Sequence, residues 1–452
     1  MKTFNVNYKD INRELRFDGS YHLSEGVIYL KKLRSRPHTE LQNLSSKIFT
    51  AGRNKRIYTD KKYGFPYLSN TDISNSNPIS DCKYNSKKYG YDENSFLKQG
   101  MIVTGRVGAI GQSSFINSEY EDKMAMGSDN IIRIVPNDFE LSGYIYAFFA
   151  SKYGKTLLWQ LATGGVQPYI SEEMLLNLPI PKFEQNKQNE IHNLVFEASK
   201  LRVEANKLLD RIIIEIESKY NFNKNEKIFS LSISDIKKGD KYTKENRFES
   251  DFYQPATSNI IEQIKKEQWD YLGDLSLEIN RSGLRERKFV ENGIPLITGQ
   301  NLNMARLQDL KNLSKKFTRN VEKNTTNESD ILISVQGTIG KVEYVFNNMY
   351  QGVFASEQLA KIKIDKEKVH PGYVYAFLKS KMGQSQLVKH KTGSVIEWVK
   401  ENNIGSVIVP IPNDNGQEIG SEINRISKLQ NKAFEKETQA IDLIEKEIES
   451  WQ

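Results

Sequence analysis

Cysteine is almost missing: the 452 residues include one, Cys82, which excludes an internal disulfide framework and any zinc site built on several thiolates. Nothing near Cys82 marks it for redox or catalytic work, and it reads as an ordinary free thiol. Histidine is scarce. His22, His38, His192, His370 and His390 include no close-spaced metal-ligating pair, and His192 falls on a long helical segment where a solvated face is expected. No stretch approaches the ~18 apolar residues that cross a bilayer. Met1-Lys-Thr-Phe-Asn-Val-Asn7 lacks the apolar core of a signal peptide, so a cytoplasmic protein without membrane contact is expected.

Charge of neither sign is short: 64 Lys and Arg stand against 57 Asp and Glu, a net of +7. With 27% charged and 38% hydrophobic residues, the chain suits folded domains rather than disorder. At roughly 150 residues per domain, its length predicts about three compact units, or two large ones with helical spacers.

What the sequence does contain is a repeat. Gly64-Phe-Pro-Tyr-Leu-Ser-Asn-Thr-Asp-Ile73 returns as Gly293-Ile-Pro-Leu-Ile-Thr-Gly-Gln-Asn-Leu302, 229 positions on. The same shift carries Gly108-Ala-Ile-Gly111 onto Gly337-Thr-Ile-Gly340, Gly143-Tyr-Ile-Tyr-Ala-Phe148 onto Gly372-Tyr-Val-Tyr-Ala-Phe377, and Thr163-Gly164 onto Thr392-Gly393. Pro179-Ile-Pro181 matches Pro410-Ile-Pro412, and the run ending Glu215-Ile-Glu-Ser218 matches the one ending Glu447-Ile-Glu-Ser450. The chain is a tandem duplication of a unit of about 230 residues, far longer than a solenoid repeat.

Each unit divides into a globular part and a long helix. In the first, Met101–Val107 and Asn130–Val135 read as strands, and Ser142–Ala162 as a helix ending before Thr163-Gly164-Gly165. The second has strands at Asp330–Val335 and Leu359–Ile364 and a helix over Pro371–Lys391. Pro-Ile-Pro cannot continue a helix and marks the edge of each globular part. Beyond it, Glu190–Tyr220 and Glu422–Gln452 contain neither Pro nor Gly. Ile191, Leu194, Ala198, Leu201, Ala205, Leu208 and Ile212 alternate spacings of 3 and 4, the seam of a coiled coil. The second helix keeps Ile423, Ile426, Ala433, Ala440, Ile444 and Ile448 but sets Gln430 and Glu437 on the seam, which predicts a less regular interface. The spacing makes Ile191, Leu194, Leu201, Leu208, Ile212, Ile426, Ile444 and Ile448 candidate interface residues. The two helices are expected to pair antiparallel; the alternative is that each packs on its own globular part.

The two helices are net acidic, so the positive excess lies on the globular parts and connections. There it clusters, as Arg53, Lys55, Arg56, Lys61 and Lys62 in the first unit and Arg281, Arg285, Arg287 and Lys288 with Lys315, Lys316 and Arg319 in the second. A basic loop is ordinarily a solvated surface. Recurrence ahead of a Gly-x-Pro strand start in both units points instead to DNA phosphates.

Catalytic signatures mostly fail. Gly337-Thr-Ile-Gly-Lys341 resembles the end of a phosphate loop, but the required earlier glycine is Val335, Val342 replaces the hydroxyl residue, and Gln112 replaces Lys341 in the first unit. It reads as a strand turn that needs glycine at positive φ. An amino-methyltransferase pocket would need an Asn-Pro-Pro-aromatic or Asp-Pro-Pro-aromatic motif, and the nearest sequence is Asn77-Pro-Ile79. Asp274 with Glu286-Arg-Lys288 imitates a metal-dependent nuclease without the proline that precedes its aspartate.

Two variable globular units, each closed by Pro-x-Pro and a long helix, resemble the specificity subunit of type I restriction-modification systems. The resemblance covers essentially the whole chain. It rests on Asp330-Ile-Leu-Ile-Ser-Val-Gln-Gly-Thr-Ile-Gly340 and on the segment from Thr392-Gly-Ser394 to Val409-Pro-Ile-Pro412, with echoes at Gly100–Gly111 and Thr163–Pro181. It implies an α+β fold with target recognition domains at 1–185 and 225–415, a central helical spacer at 186–224 and a C-terminal one at 416–452. It implies a non-catalytic subunit that reads a bipartite DNA site and docks methyltransferase and restriction subunits. Those partners would carry S-adenosylmethionine, ATP and magnesium, and this chain no cofactor or metal. The rival readings are a self-sufficient nuclease using Asp274, Glu286 and Lys288, and a coiled-coil scaffold that does not touch DNA. Gln300, Asn301 and Asn303, and Ser69, Asn70 and Asp72, are candidates to read base edges, or to satisfy turn backbone groups. Gln167 and Tyr169, and Glu397 and Trp398, follow the repeated Thr-Gly; Trp398 is expected in the core. The units depart from each other where Val166-Gln-Pro-Tyr-Ile170 stands against Val395-Ile-Glu-Trp-Val399, so they need not bind alike.

Overall fold

The structure is a computed structural model. It describes residues 8, 16–80, 82–89, 91–222, 229–236, 241–243, 247–346, 349–393 and 396–451. Met1–Asn7, and Ser394 and Val395 of the motifs above, lie outside the described residues. The chain forms two compact units, Met1–Val203 with Lys432–Gln452, and Glu204–Asn431.

In the first unit, strands Ser45–Thr50, Ile131–Pro136, Ile102–Gly105 and Ser113–Phe115 form an antiparallel sheet in that order. A smaller sheet orders Tyr58–Thr59, Lys83–Ser86, Gly64–Leu68 and Met126–Gly127, and His38–Glu40 pairs with Pro179–Pro181. The second unit repeats all three sheets in the same order. Its larger sheet is Ser276–Arg281, Leu359–Ile364, Ile331–Ser334 and Val342–Tyr344; its smaller is Phe289–Val290, Asn312–Leu313, Ile294–Ile297 and Phe354–Ala355; Trp269–Tyr271 pairs with Ile408–Pro410.

The central strand is apolar on both faces because it separates two cores. Ile102 points into a core with the helices, while Val103 points into one with the small sheet. Ile331 and Ile333 divide from Leu332 in the same way. The expected single helix after each sheet is two, Phe139–Ala150 with Lys152–Leu161 and Pro371–Lys379 with Lys381–Lys389. Ser151 and Ser380 make the break: each hydroxyl bonds back to the carbonyl of Phe148 or Phe377 and accepts the N–H of Gly154 or Gly383. The turn is so tight that a Cβ on Gly154 would lie 2.2 Å from the Phe148 carbonyl oxygen. The Pro-Ile-Pro pairing is also corrected. Pro181 and Pro410 are equivalent, since each carbonyl receives a tyrosine hydroxyl, Tyr144 at 2.6 Å and Tyr373 at 2.9 Å.

The long helices are Gln185–Ser218 and Gln417–Ser450. Both cross the boundary between units, so each unit contains half of each helix. In the first unit, Ile191, Val195 and Ala198 share a core with Ala440, Ile441, Ile444 and Ile448. The ion pairs Lys187–Glu447 and Glu197–Lys436 run in opposite chain directions, so the segments are antiparallel. In the second, Ala205, Leu209, Ile212 and Ile216 pack with Ile423 and Ile426, and Arg425 lies 3.8 Å from Glu204. The fold is α+β with antiparallel helical pairing, and the helices also form part of the globular cores. That extra contact widens the buried stripe: Val195, Leu209 and Ile216 are buried, whereas Leu194, Leu201 and Leu208 are half-buried.

Glu437 is the irregularity in the seam. Buried to 1% exposure, it takes hydrogen bonds from Arg202 and the Tyr146 hydroxyl. Burial pulls the Arg202 guanidinium down, and Glu437 more than restores it, leaving it above its ordinary value. Gln430 is half-buried. The expected solvated position of His192 is corrected as well: it is buried between Phe139 and Phe196, and its Nδ1 accepts the Gly143 N–H at 3.2 Å. No helix among the described residues is long and apolar enough to cross a membrane.

Candidate nucleic-acid interface

The small sheet of each unit carries basic and aromatic side chains in register. Tyr58 pairs with Asn85 and Thr59 with Tyr84; Phe289 pairs with Leu313 and Val290 with Asn312. This register makes Tyr58 equivalent to Phe289, and Lys83, one residue before Tyr84, equivalent to Lys311, one before Asn312. Lys83 Nζ stands 4.8 Å from the Tyr58 ring centre and Lys311 Nζ 5.1 Å from that of Phe289. Both rings are exposed. None of these four residues stood among the sequence candidates. The available signal was the recurrence of lysine beside tyrosine at Lys62-Tyr63, Lys83-Tyr84 and Lys88-Tyr89.

The basic clusters surround these strands. Lys55, Lys61 and Lys62 are exposed, while Arg53 and Arg56 both reach Asp129, at 3.9 and 3.0 Å. Tyr67, whose ring lies 5.7 Å from Arg56, and Asp129 together hold that guanidinium above its ordinary pKa. In the second unit Ser314 N–H donates to the Lys288 carbonyl at 2.9 Å, which brings the stretch Arg285–Lys288 beside Lys315 and Lys316. Lys288 Nζ lies 3.7 Å from the ring centre of exposed Phe317. Arg285 is exposed, and Arg287 pairs with Glu357. Arg281 donates to the Glu357 carbonyl and, at 3.4 Å, to Gln336 Oε1.

The polar candidates split by what they hold. Asn301 accepts from the Thr298 N–H at 2.9 Å, Asp72 accepts from the Ser69 N–H at 2.8 Å, and Asn70 donates to the Val107 carbonyl. Asn303 is buried with φ of 65°, and its N–H donates to Glu343 at 3.1 Å. Gln300 is exposed.

The turns Gly108–Gly111 and Gly337–Gly340 join strands of the larger sheet, with φ of 83° and 82° in one and 77° and 91° in the other, values glycine adopts without a Cβ clash. Each turn is bridged by the loop after Thr-Gly: Val107 with Tyr169, and Gln336 with Trp398. The structure therefore gathers Asn70 and Tyr169 about one turn, and Arg281, Glu397 and Trp398 about the other, with Gln167 exposed in the loop after Thr163-Gly164. Trp398 is half-buried in that loop rather than in the core.

Of the nuclease residues, Asp274 is bound by Lys241 and the Tyr242 hydroxyl, with the Lys241 bond foremost in holding its carboxyl below the usual range. Glu286 and Lys288 are exposed, and Lys288 Nζ lies over the Phe317 ring rather than beside Asp274 or Glu286. Among the described residues no group of three or more His, Cys, Asp or Glu side chains is placed to hold a metal ion.

No curated protein matches the chain. Among solved structures, the S subunit of a type I restriction-modification system from M. genitalium is 13% identical with a TM-score of 0.34, over 92% of this chain and 94% of that one. The HsdS subunit from Thermoanaerobacter tengcongensis is 12% identical with a TM-score of 0.27, over 92% and 97%. The family profile of the type I restriction modification DNA specificity domain matches residues 213–446, more than half of the 452 residues, and the chain belongs to that family.

Proposed function

We propose that the chain is the DNA-recognition subunit of a type I restriction-modification complex, non-catalytic in itself, with each unit reading one half of a bipartite site. The observation that supports this most is the equivalent placement of Lys83 over Tyr58 and Lys311 over Phe289. A duplicated fold has no packing need for an exposed cation on an exposed ring at the same point of both copies, whereas a phosphate backbone supplies one. Around that pair, Lys55, Lys61 and Lys62, and Arg285, Lys288, Lys315 and Lys316, would hold the backbone. Asn70, Gln167, Tyr169, Gln300 and Asn301 lie on loops from which base edges can be read, whereas Asn303 is buried.

Each long helix has 34 residues, roughly 50 Å at ~1.5 Å per residue, against about 34 Å for a turn of DNA. The pair would serve as the spacer between half-sites and as the docking surface for methyltransferase and restriction subunits, which would carry S-adenosylmethionine, ATP and magnesium. Titrating the full-length chain with duplex DNA over a salt series tests the reading. The logarithm of affinity should fall linearly with that of salt, by about 0.9 per phosphate contact. Absent or salt-indifferent binding overturns it.

A further inference from the structure

We infer that Arg56 and Arg287 are equivalent guanine-reading residues, one in each unit, and that Asp129 and Glu357 position them; the inference rests on the DNA-recognition reading above. The equivalence is structural. Thr50 pairs with Ile132 and Arg281 with Ala360 at the same point of the larger sheet, and each arginine follows six residues later. The carboxylates occupy one position of the loop into the neighbouring strand. Before them, the Ser128 N–H donates to Leu68 at 2.9 Å and the Ser356 N–H to Ile297 at 3.0 Å; after them, the carbonyls of Asn130 and Gln358 accept from Arg106 and Val335, both at 2.9 Å. Two cations of the preceding stretch are not repeated, since Thr50 stands where the second unit has Arg281 and Leu284 where the first has Arg53. The ion pair recurs, as the lysine–ring pairs beside it do, while these cations have changed.

Such a pair makes a poor phosphate hook, because the carboxylate cancels the field that would attract a second anion. It contributes little to stability when partly exposed. What it does well is orient. A guanidinium carries five donors in a rigid plane, and the carboxylate fixes that plane while occupying one edge, leaving the others for a bidentate contact such as guanine O6 and N7. Arg56 and Arg287 keep 46% and 32% of their side-chain surface exposed, whereas Asp129 and Glu357 keep 16% and 28%. The arginines can reach outward from carboxylates held closer to the fold. Both pairs also sit beside the glycine turns: Arg106 precedes Val107, and Arg281 bonds both the Glu357 carbonyl and Gln336.

Selection of bound duplexes from a randomised library by the full-length chain tests this. The wild type should enrich a two-part motif. Arg287→Lys keeps the charge but loses the fork, and should weaken preference for guanine at one position of one half about tenfold. Glu357→Gln should lose the same position, and Arg56→Lys one in the other half. The remaining positions of the affected half, still enriched, report that the substituted unit is folded, and the other half reports that the chain binds as before. A motif kept intact in all three variants, with affinity lowered evenly, overturns the inference and leaves the recognition reading standing. A wild-type chain that enriches no motif overturns the recognition reading and this inference with it.

Discussion

The two units solve one structural problem with different chemistry at the middle of the larger sheet. Arg133, paired with Val103, and Lys361, paired with Leu332, occupy the same position, and both are buried. Arg133 donates to the carbonyls of Ser95, Gly127, Ser128 and Ile131, tying the small sheet to the large one without an anion. Burial pulls its guanidinium down to about 10. Lys361 reaches the Thr325 carbonyl at 3.3 Å but also needs a carboxylate, Asp330 at 3.6 Å. A planar group with five donors can satisfy several carbonyls, whereas a compact ammonium is better matched by one counter-ion. Duplication has thus preserved the demand for a long cationic side chain and let its means of satisfaction drift.

The strongest test of how alike the units are lies in the serine breaks. A side chain on Gly154 meets the Phe148 carbonyl oxygen at 2.2 Å, and one on Gly383 meets that of Phe377 at 2.4 Å. Gly154→Val should unfold the first unit and Gly383→Val the second, read as loss of protease resistance mapped by mass spectrometry. Loss of both units from either substitution would show that they do not fold separately.

Next in size is the buried pair that the first unit has and its sequence counterparts lack, since Ala205 and Phe434 stand 232 positions from Glu437 and Arg202. Glu437→Ala strands Arg202 and should cost about 3–5 kcal/mol in urea unfolding. Removing both charges, as Arg202→Leu with Glu437→Leu, should recover most of that. The central cations give a smaller contrast. Arg133→Lys leaves carbonyls without donors and should cost roughly 2 kcal/mol; Lys361→Arg keeps the Asp330 contact and should cost less than about 1 kcal/mol.

Acid should separate the units further. Burial, with Lys389 and Arg247 nearby, pulls His390 from 6.5 down to about 3, and burial lowers His192 and, with Lys366, His370. An imidazole depressed in the folded state is neutral in both states at pH 7 and costs nothing there. Below 6.5 the unfolded chain binds a proton that the fold resists, so stability falls as pH drops, and for His390 keeps falling to about 3. With two such histidines, the second unit should lose protection first in a pH series of hydrogen exchange. His390→Gln should reduce the difference.

The smallest effects belong to the repeated surface. Lys83→Ala and Lys311→Ala should each leave stability within about 0.5 kcal/mol. Each should lower the salt slope of DNA binding by about 1. Equal effects would confirm that the units hold the backbone alike at this point.

Much of the fold was legible because it is written locally and then written again. Repeated Gly108–Gly111 and Gly337–Gly340 mark turns that open at positive φ, and the aromatic helix after the sheet recurs almost unchanged. The serine breaks were legible too, as Ser151-Lys-Tyr-Gly154 and Ser380-Lys-Met-Gly383, but helical spacing across them hid the stop. The seam was half legible. Ile191, Ala198, Ala205 and Ile212 are buried as their spacing requires, but contact with the globular cores selects Val195 and Leu209 over Leu194 and Leu208.

Periodicity and internal duplication alone establish two similar units, each with strands, an aromatic helical stretch and a long helix, and the loops where the basic residues gather, since each depends on neighbours a few positions apart or on the repeat itself. That the long helices pair antiparallel was decided by contacts such as Lys187 with Glu447, 260 positions apart. Which cations are free and which are already paired depends on partners far along the chain. Arg56 meets Asp129 across 73 positions and Arg287 meets Glu357 across 70. Lys83 reaches Tyr58 only because two short strands align. Folding alone settles those pairings, because a side chain's charge becomes available or committed through the few ångströms around it, and no local pattern records who will stand there.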